Sequence, residues 1–448
     1  MGMLLLIAVR NLIQGGRRTL LLTAAIGLVT TFLVVLLALS QGLTDQLIRS
    51  ATTLGTGHLN VAGFYKVRSG DAAPMVTGAS AIRKLVEANT PGLDYVIERQ
   101  RGWAKVIAET GESMQAGLVG VELAHEPKLL QELELAPLSD YQEGGSAQLR
   151  GDFKQLAEPN TAVIFATQAK RLGVTVGDAL TVSTTTFRGM SNTMEVRIVA
   201  VAKDVGLMSS FNIFLPTRTI LDIYRLKDDT TGAVMIYLKD IRQADIVMAH
   251  LRTVLEANGY RLMEHQAAPF WMKFETVSGE DWTGQKLDLT VWQDEVSFLN
   301  YIITGFDTLS FFLVSILLVI IGVGIMNAMW MAVRERTKEV GTLRAIGMSR
   351  PRILFMFLAE AAVLGLLATL GGGLLGTVIA ASLEAAAIKV PVAAFRIILM
   401  GDTLHLSVGA LQVLFAVLAL TFVTMAAALW PALRAARLQP VTAIQHVK

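Results

Sequence analysis

Two polar residues in this chain draw notice by where they stand. Glu360 and Asn327 each lie about two helical turns inside an apolar run, at facing ends of two successive runs. A carboxyl at that depth is costly, which makes Glu360 a functional candidate. The plainer reading gives it an interhelical hydrogen bond to Asn327, or to a backbone group near the cytoplasmic interface. Between the runs comes Arg334-Glu335-Arg336-Thr337-Lys338-Glu339-Val340-Gly341-Thr342-Leu343-Arg344-Ala345-Ile346-Gly347-Met348. The segment is basic, yet Val340, Leu343 and Ile346 recur about one turn apart. That spacing predicts a helix at the membrane surface that offers a narrow apolar stripe to a partner.

Other chemistry is missing from the sequence. No Gly-x-x-x-x-Gly-Lys-Ser/Thr phosphate loop occurs in these residues. Gly371-Gly372-Gly373-Leu374-Leu375-Gly376 has glycines without the lysine and lies inside an apolar run. It reads as helix packing: Ala368, Gly372, Gly376 and Ala380 recur every four residues and form one smooth stripe for a close helix neighbour, within the subunit or from a second copy. His58, His125, His250, His265, His405 and His446 show no metal-ligand spacing. Neither a Gly-x-Ser-x-Gly elbow nor a Ser-x-x-Lys pair appears. With no cysteine, disulfides, thiolate metal sites and cysteine nucleophiles are excluded.

The elements that must position the charged segment are membrane helices. The chain is 53% hydrophobic and 17% charged, with a mean hydropathy of +0.51, which is too apolar for an ordinary soluble protein of 448 residues. A net charge of +2 gives no case for nucleic acid, because the cations gather at membrane flanks. Uncharged runs cover Thr19–Thr44, Thr308–Val333, Ala361–Leu383 and Thr403–Leu433, each long enough to span a bilayer. Arg10, Arg17 and Arg18, the Arg334–Arg352 loop, and Arg434, Arg437 and Lys448 all fall on one side of a four-span arrangement. The positive-inside rule makes that side the cytoplasm, with both termini there. The divisions expected are an interfacial N-terminal helix (1–18), membrane helices 19–44, 301–334, 353–387 and 403–433, an external domain 45–300, a cytoplasmic segment 335–352, an external loop 388–402 and a cytoplasmic tail 434–448. Ala38-Leu39-Ser40 loosely resembles a signal-peptidase site, but the apolar run before it is too long for a typical signal core.

Within 45–300, two βαβ-like units are legible. One combines Gly57–Val61, a helix over Gly78–Asn89 and a strand at Leu93–Ile97. The other combines Ala233–Leu238, a helix over Ile241–Asn258 and a strand at Tyr260–Met263. Near the start and end of the domain, they are expected to pack as one α+β layer. Ala162–Ala202 reads as a β-rich insert with turns at Gly173 and Gly177-Asp178. Pro269–Trp292, with Trp271, Phe274, Trp282 and Trp292, shows no clear period. It reads as a loop on the outer leaflet, a docking surface, or simply core filling.

Met326-Asn327 through Met348, then Phe357-Leu358-Ala359-Glu360-Ala361, resembles the FtsX-type permease domain. So does the ending Trp430-Pro431-Ala432-Leu433-Arg434-Ala435-Ala436-Arg437-Leu438-Gln439-Pro440-Val441-Thr442-Ala443-Ile444. That domain occurs in MacB exporters, in lipoprotein-releasing permeases of the LolC/LolE type and in FtsX. The resemblance is strong over 300–448 and looser at Ala8–Leu12 and Gly55–Leu59. It implies an α-helical membrane protein with four transmembrane helices and a large external α+β domain, built of a ferredoxin-like or porter-like layer with a β-rich insert. It also implies a non-catalytic permease subunit of an ABC transporter in the bacterial inner membrane. ATP and magnesium would sit on a partner ATPase and no cofactor on this chain. The coupling helix would contribute Arg336, Glu339, Val340, Gly341, Leu343, Arg344, Ile346 and Gly347. The implied partners are ATPase subunits, a second permease copy or paralogue, membrane lipid, and a periplasmic chaperone or membrane-fusion adaptor. Lipoprotein release from the inner membrane is the first function implied. The alternatives are MacB-like drug or peptide efflux and FtsX-like activation of a cell-wall hydrolase.

Overall fold

The computed structural model describes residues 16–68, 70–205, 208–388 and 403–438, with 10 and 390 besides. Most of the expected N-terminal interfacial helix, of the 388–402 loop and of the 434–448 tail lies outside the described residues. The chain divides into two compact units. One comprises Met1–Asp45, Ile303–Lys389 and Thr403–Lys448; the other comprises Gln46–Ile302 and Val390–Asp402.

The elements used below run in this order. First come α1 (Gly16–Ser50), β1 (Leu59–Lys66), α2 (Ala79–Asn89), β2 (Leu93–Ala108), β3 (Ser113–Val121), β4 (Thr161–Phe165), α3 (Ala166–Leu172) and β5 (Ala179–Thr185). Then follow β6 (Ser191–Ala202), β7 (Asn212–Pro216), α4 (Thr217–Tyr224), β8 (Ala233–Leu238), α5 (Ala244–Ala257) and β9 (Gly284–Val291). The last are α6 (Ser297–Glu335), α7 (Thr337–Ala345), α8 (Arg350–Ala385) and α9 (Ala410–Ala436).

Among the described residues, four helices are long and apolar enough to cross a membrane: α1, α6, α8 and α9. Several of their hydroxyls turn back on their own helices, as Thr30 Oγ1 donates to the Ile26 carbonyl and Thr424 Oγ1 to that of Leu420, while Thr31 Oγ1 also reaches the Gly372 carbonyl of α8 at 3.0 Å. α8 is the most enclosed. Its glycines let backbones meet: a Cβ on Gly372 would overlap the Gly27 carbonyl oxygen of α1, and one on Gly376 would come 2.9 Å from Val34 Cβ. A Cβ on Gly371 would meet nothing. Ala368 and Ala380 are buried along the same side, Ala380 in a cluster with Ala38.

The fourth uncharged run is not helical throughout. α9 starts at Ala410, while Thr403–Gly409 is not helical. The backbone N–H of Leu406 is taken by Glu384 Oε2 (2.6 Å) and that of Ser407 by the Ala38 carbonyl (3.0 Å), so these amides bond outside any helix.

In the outer unit, β1 pairs antiparallel with both β8 and β9, and β8 pairs antiparallel with the first half of β2. The resulting order is β9–β1–β8–β2. α2 and α5 cover this layer, packing Ile82, Val86, Val247, Leu251 and Leu255 against Val61, Val234, Ile236 and Leu289. The expected strand at Tyr260–Met263 shrinks to one bridge, Leu262 to Leu287. The strand that completes the second βαβ unit is β9, inside the segment read as aperiodic. Its alternating Leu287, Leu289 and Val291 face the core. The intervening Asp288 is buried as well, because Lys273 neutralises it at 2.8 Å. Trp282 is buried against Phe64, Met263 and Val277, whereas Trp271 stays exposed.

β2 is long enough to serve two sheets. From Gln100 onwards it pairs with β3 and then also with β5. β3 joins β7, β7 joins β4, β4 joins β6 and β6 returns to β5, so the pairings close into a six-stranded barrel. The β-rich insert is therefore wider than Ala162–Ala202: β2, β3 and β7 also belong to it. Its core gathers Val106, Leu118, Ile164, Val182, Val196, Ile198 and Leu215.

Candidate coupling segment

The charged loop is built on one short helix. α6 ends at Glu335, α7 runs Thr337–Ala345, and Gly347 turns the chain at φ +99°, a value that glycine adopts without strain. Ser349 is extended and Pro351 sits in the first turn of α8.

The expected stripe divides when its residues are placed. Val340 is only 1% exposed and packs with Val333, Ile353, Phe357, Ala432 and Ala435 of this same chain. Leu343 lies half-buried against that cluster. Ile346 falls beyond the last helical residue and is 79% exposed. The three residues therefore do not form one outward stripe, because the helix ends before the third and turns the first towards its own unit. Gly341 is buried. Arg344 Nη1 donates to the Met348 carbonyl at 3.2 Å. Glu339, Ile346 and Gly347 face outwards, together with Lys338 and Thr342.

Glu360 does not pair with Asn327, which is exposed on α6. Its partner is Arg336, with Nη1 3.2 Å from Oε2 and 3.4 Å from Oε1. A neutral amide leaves a buried carboxylate's charge in place, whereas a guanidinium cancels it and supplies charged donors. Glu360 also lines a cavity of about 30 Å³ with Thr19, Leu22, Met329 and Thr424, where four membrane helices meet. The pair thus fixes the start of α7 to the interior of the helix unit. The Arg434 guanidinium lies 5.0 Å over the Trp330 ring and joins α9 to α6.

A second tie lies within the outer unit, and sequence reasoning missed it. α1 continues without a break to Ser50 and ends in one π-helical turn, Ala51–Gly55. Arg99 of β2 donates to the Thr53 and Leu54 carbonyls (2.6 and 2.8 Å) and pairs with Glu126. Tyr237 Oη donates to the Thr52 carbonyl at 2.6 Å. Burial works against the Arg99 charge, but Glu126, Tyr237 and Tyr95 together outweigh it and hold the guanidinium pKa above its ordinary value. Burial also pushes the Tyr237 hydroxyl up to about 12. His58 Nδ1 accepts from the Leu238 N–H at 3.0 Å, and burial, with Lys128 nearby, lowers its pKa to about 4. The imidazole is therefore neutral at ordinary pH. A charged residue inside a strand is the sole trace of this tie in the sequence.

The FtsX-like permease C-terminal family matches residues 311–440, which include α7, and the MacB-like periplasmic core domain family matches residues 19–254. The macrolide export ATP-binding/permease protein MacB of Sodalis glossinidius is 27% identical over 437 residues, covering 95% of this chain and 58% of the relative. The pyoverdine export ATP-binding/permease protein PvdT of Pseudomonas syringae pv. tomato is 40% identical over 141 residues, 31% of this chain and 19% of the relative. The crystal structure of the periplasmic region of MacB from Actinobacillus actinomycetemcomitans covers 57% of this chain and 97% of its own, at 12% identity. Its TM-score of 0.30 is too low to bear on the fold. The chain spans little more than half the length of the MacB relative. Four apolar helices and a permease family place it in the inner membrane. The MacB-like match alone takes in more than half of the residues, and the chain belongs to the MacB/FtsX-type family of ABC transporter permeases.

Proposed function

We propose that this chain is the non-catalytic permease subunit of an ABC exporter that works by mechanical transmission. An ATPase polypeptide, carrying ATP and magnesium, docks on the α7 loop; a second permease copy or paralogue completes the assembly. The observation that carries this reading is the FtsX-like match over a loop whose outer face presents Glu339, Ile346 and Gly347. Placing α7 and both termini in the cytoplasm puts every basic cluster on one side of the membrane. The outer unit is then periplasmic, and its strand order with two crossover helices supports reading it as a ferredoxin-like layer.

The cargo in this reading is an amphiphilic small molecule, passed on with a membrane-fusion adaptor. The relatives are named for macrolide and pyoverdine export, which favours efflux over lipoprotein release. Neither release of lipoproteins nor signalling to a hydrolase gains support from the names of those relatives.

The chain has no cysteine, so single ones report cleanly. Ile346→Cys should crosslink to the copurifying ATPase and resist an impermeant thiol reagent in intact cells. Labelling from outside would overturn the orientation. An intact complex without any crosslink from Ile346→Cys or Glu339→Cys would overturn the docking site.

A further inference from the structure

The outer unit holds a cavity of about 1000 Å³ that the coupling reading does not use. Its size is at the upper end for sites that enclose small ligands. Aromatic side chains dominate the lining: Trp103, Phe187, Phe211, Phe270 and Trp271. Trp103, Phe211 and Trp271 are exposed, and three large apolar groups opening on one cavity are more than scattered surface hydrophobics.

Arg101 is the second component. It lines the cavity, is 7% exposed, and lays its guanidinium 4.4 Å over the Phe270 ring. Its Nη1 has no hydrogen-bond partner among the described residues. The carboxylates whose field it feels are already engaged. Asp288 is held by Lys273 at 2.8 Å. Glu295, which lines the same cavity, accepts from the neutral donors Thr290 Oγ1 at 2.8 Å and Phe270 N–H at 3.4 Å. It acts on Arg101 through space and forms no ion pair with it among the described residues. Arg99, which also lines the cavity, is committed to Glu126. Burial lowers the Arg101 pKa, the direction expected of a guanidinium without a counterion in contact. A desolvated cation with an unused donor, set among aromatic faces, is the complement of an anion attached to an apolar body.

We propose that this cavity binds an amphiphile with a single anionic head, its apolar body on Trp103, Phe211 and Trp271 and its carboxylate or phosphate on Arg101. The inference is independent of the export reading, because binding here requires neither ATP nor an ATPase.

The test uses the full chain in nanodiscs of zwitterionic phosphatidylcholine and a diazirine-bearing dodecanoate as photoprobe. Saturable crosslinks are expected on peptides carrying Trp103, Phe211 or Trp271. Excess dodecanoate or dodecyl phosphate should compete and dodecanol should not; the better of the two anions tells a carboxylate from a phosphate ligand. Arg101→Gln should weaken capture by about tenfold, the size of one lost charge-assisted contact, and Arg101→Lys should restore part of it. Trp103→Ala, at an exposed side chain, should reduce capture without touching the fold and covers the case in which Arg101→Gln fails to fold. Dodecanol competing as well as dodecanoate, or undiminished capture by both Arg101→Gln and Trp103→Ala, would overturn the proposal.

Discussion

Among the described residues, the most enclosed arginine–glutamate pair of one unit of this permease is built differently from that of the other. In the outer unit, Arg99 and Glu126 are 1% and 3% exposed, and the guanidinium also holds two backbone carbonyls at the π turn after α1. In the membrane-helix unit, Arg336 and Glu360 are 18% and 9% exposed, with Nη1 of the guanidinium 3.2 and 3.4 Å from the two carboxylate oxygens. The first is over-determined, so that breaking it strands a charge and two carbonyls together. The second joins a carboxylate that lines the interior cavity of the helix unit to a guanidinium that is more exposed than Arg99. If α7 is the docking loop proposed above, the more exposed pair is the one able to yield when that loop moves.

The comparison is broken most directly at Arg99. Arg99→Met leaves Glu126 buried and unpaired and should destabilise the outer unit by about 3–5 kcal/mol, read as a fall in thermal melting of the purified chain. Arg99→Met with Glu126→Leu should recover a good part of that loss. Recovery close to zero would mean that the bonds to Thr53 and Leu54, and not the ion pair, hold the junction.

Next in size is a contrast inside the coupling segment. Val340→Asp puts a carboxylate among Ile353, Phe357 and Ala435 and should lower stability by several kcal/mol, whether or not an ATPase is present. Ile346→Asp, at an exposed position, should leave melting unchanged within about 0.5 kcal/mol while reducing ATP-driven transport. If both variants melt like the parent, Val340 is not packed as described.

Arg336→Gln should cost less than Arg99→Met, about 1–2 kcal/mol, because its pair is the less enclosed of the two. A loss equal to that at Arg99 would erase the distinction between the ties.

The last effect concerns pH. His58 titrates near 4 in the folded chain and at 6.5 when free, so the unfolded state binds the proton first as pH falls. The contribution from keeping His58 neutral is whole above about 6.5 and declines as pH drops towards 4. His58→Gln should flatten that part of the melting-versus-pH curve. An unchanged slope would place the acid sensitivity elsewhere.

Much of this architecture can be read from residue order, and the misses have physical causes. Long uncharged runs mark membrane helices because nothing polar survives there unpaired; yet Thr403–Gly409, equally uncharged, is not helical, since Glu384 and the Ala38 carbonyl take its amides. Helical spacing at Ile82 and Val86 or Val247 and Leu251 identifies α2 and α5. The alternation in β9 is just as regular, but three residues of it beside Trp282 and Trp292 give a weak signal. Barrel closure through β2–β5 and β3–β7 joins distant segments and leaves no local period. The phase of α7 was legible, but which side meets its own bundle was not: Val340 looks the same whether it faces a partner or Phe357. Arg336 finds Glu360 by folding, which no spacing rule encodes.

The sharing of β2 between two sheets has a consequence for engineering. The chain leaves the four-stranded layer at Arg99 and re-enters it at Ala233, and these two residues are direct cross-strand partners. Gly232 donates its N–H to the Arg99 carbonyl at 3.1 Å, and a Cβ there would strike the Arg101 backbone. Departure and return are thus the two sides of one would-be hairpin, and everything between them is a cassette hung on its tip. Any exchange of that cassette between related permeases must carry Glu126 with it, or replace Arg99 as well, because this buried pair joins the strand that stays to the segment that leaves.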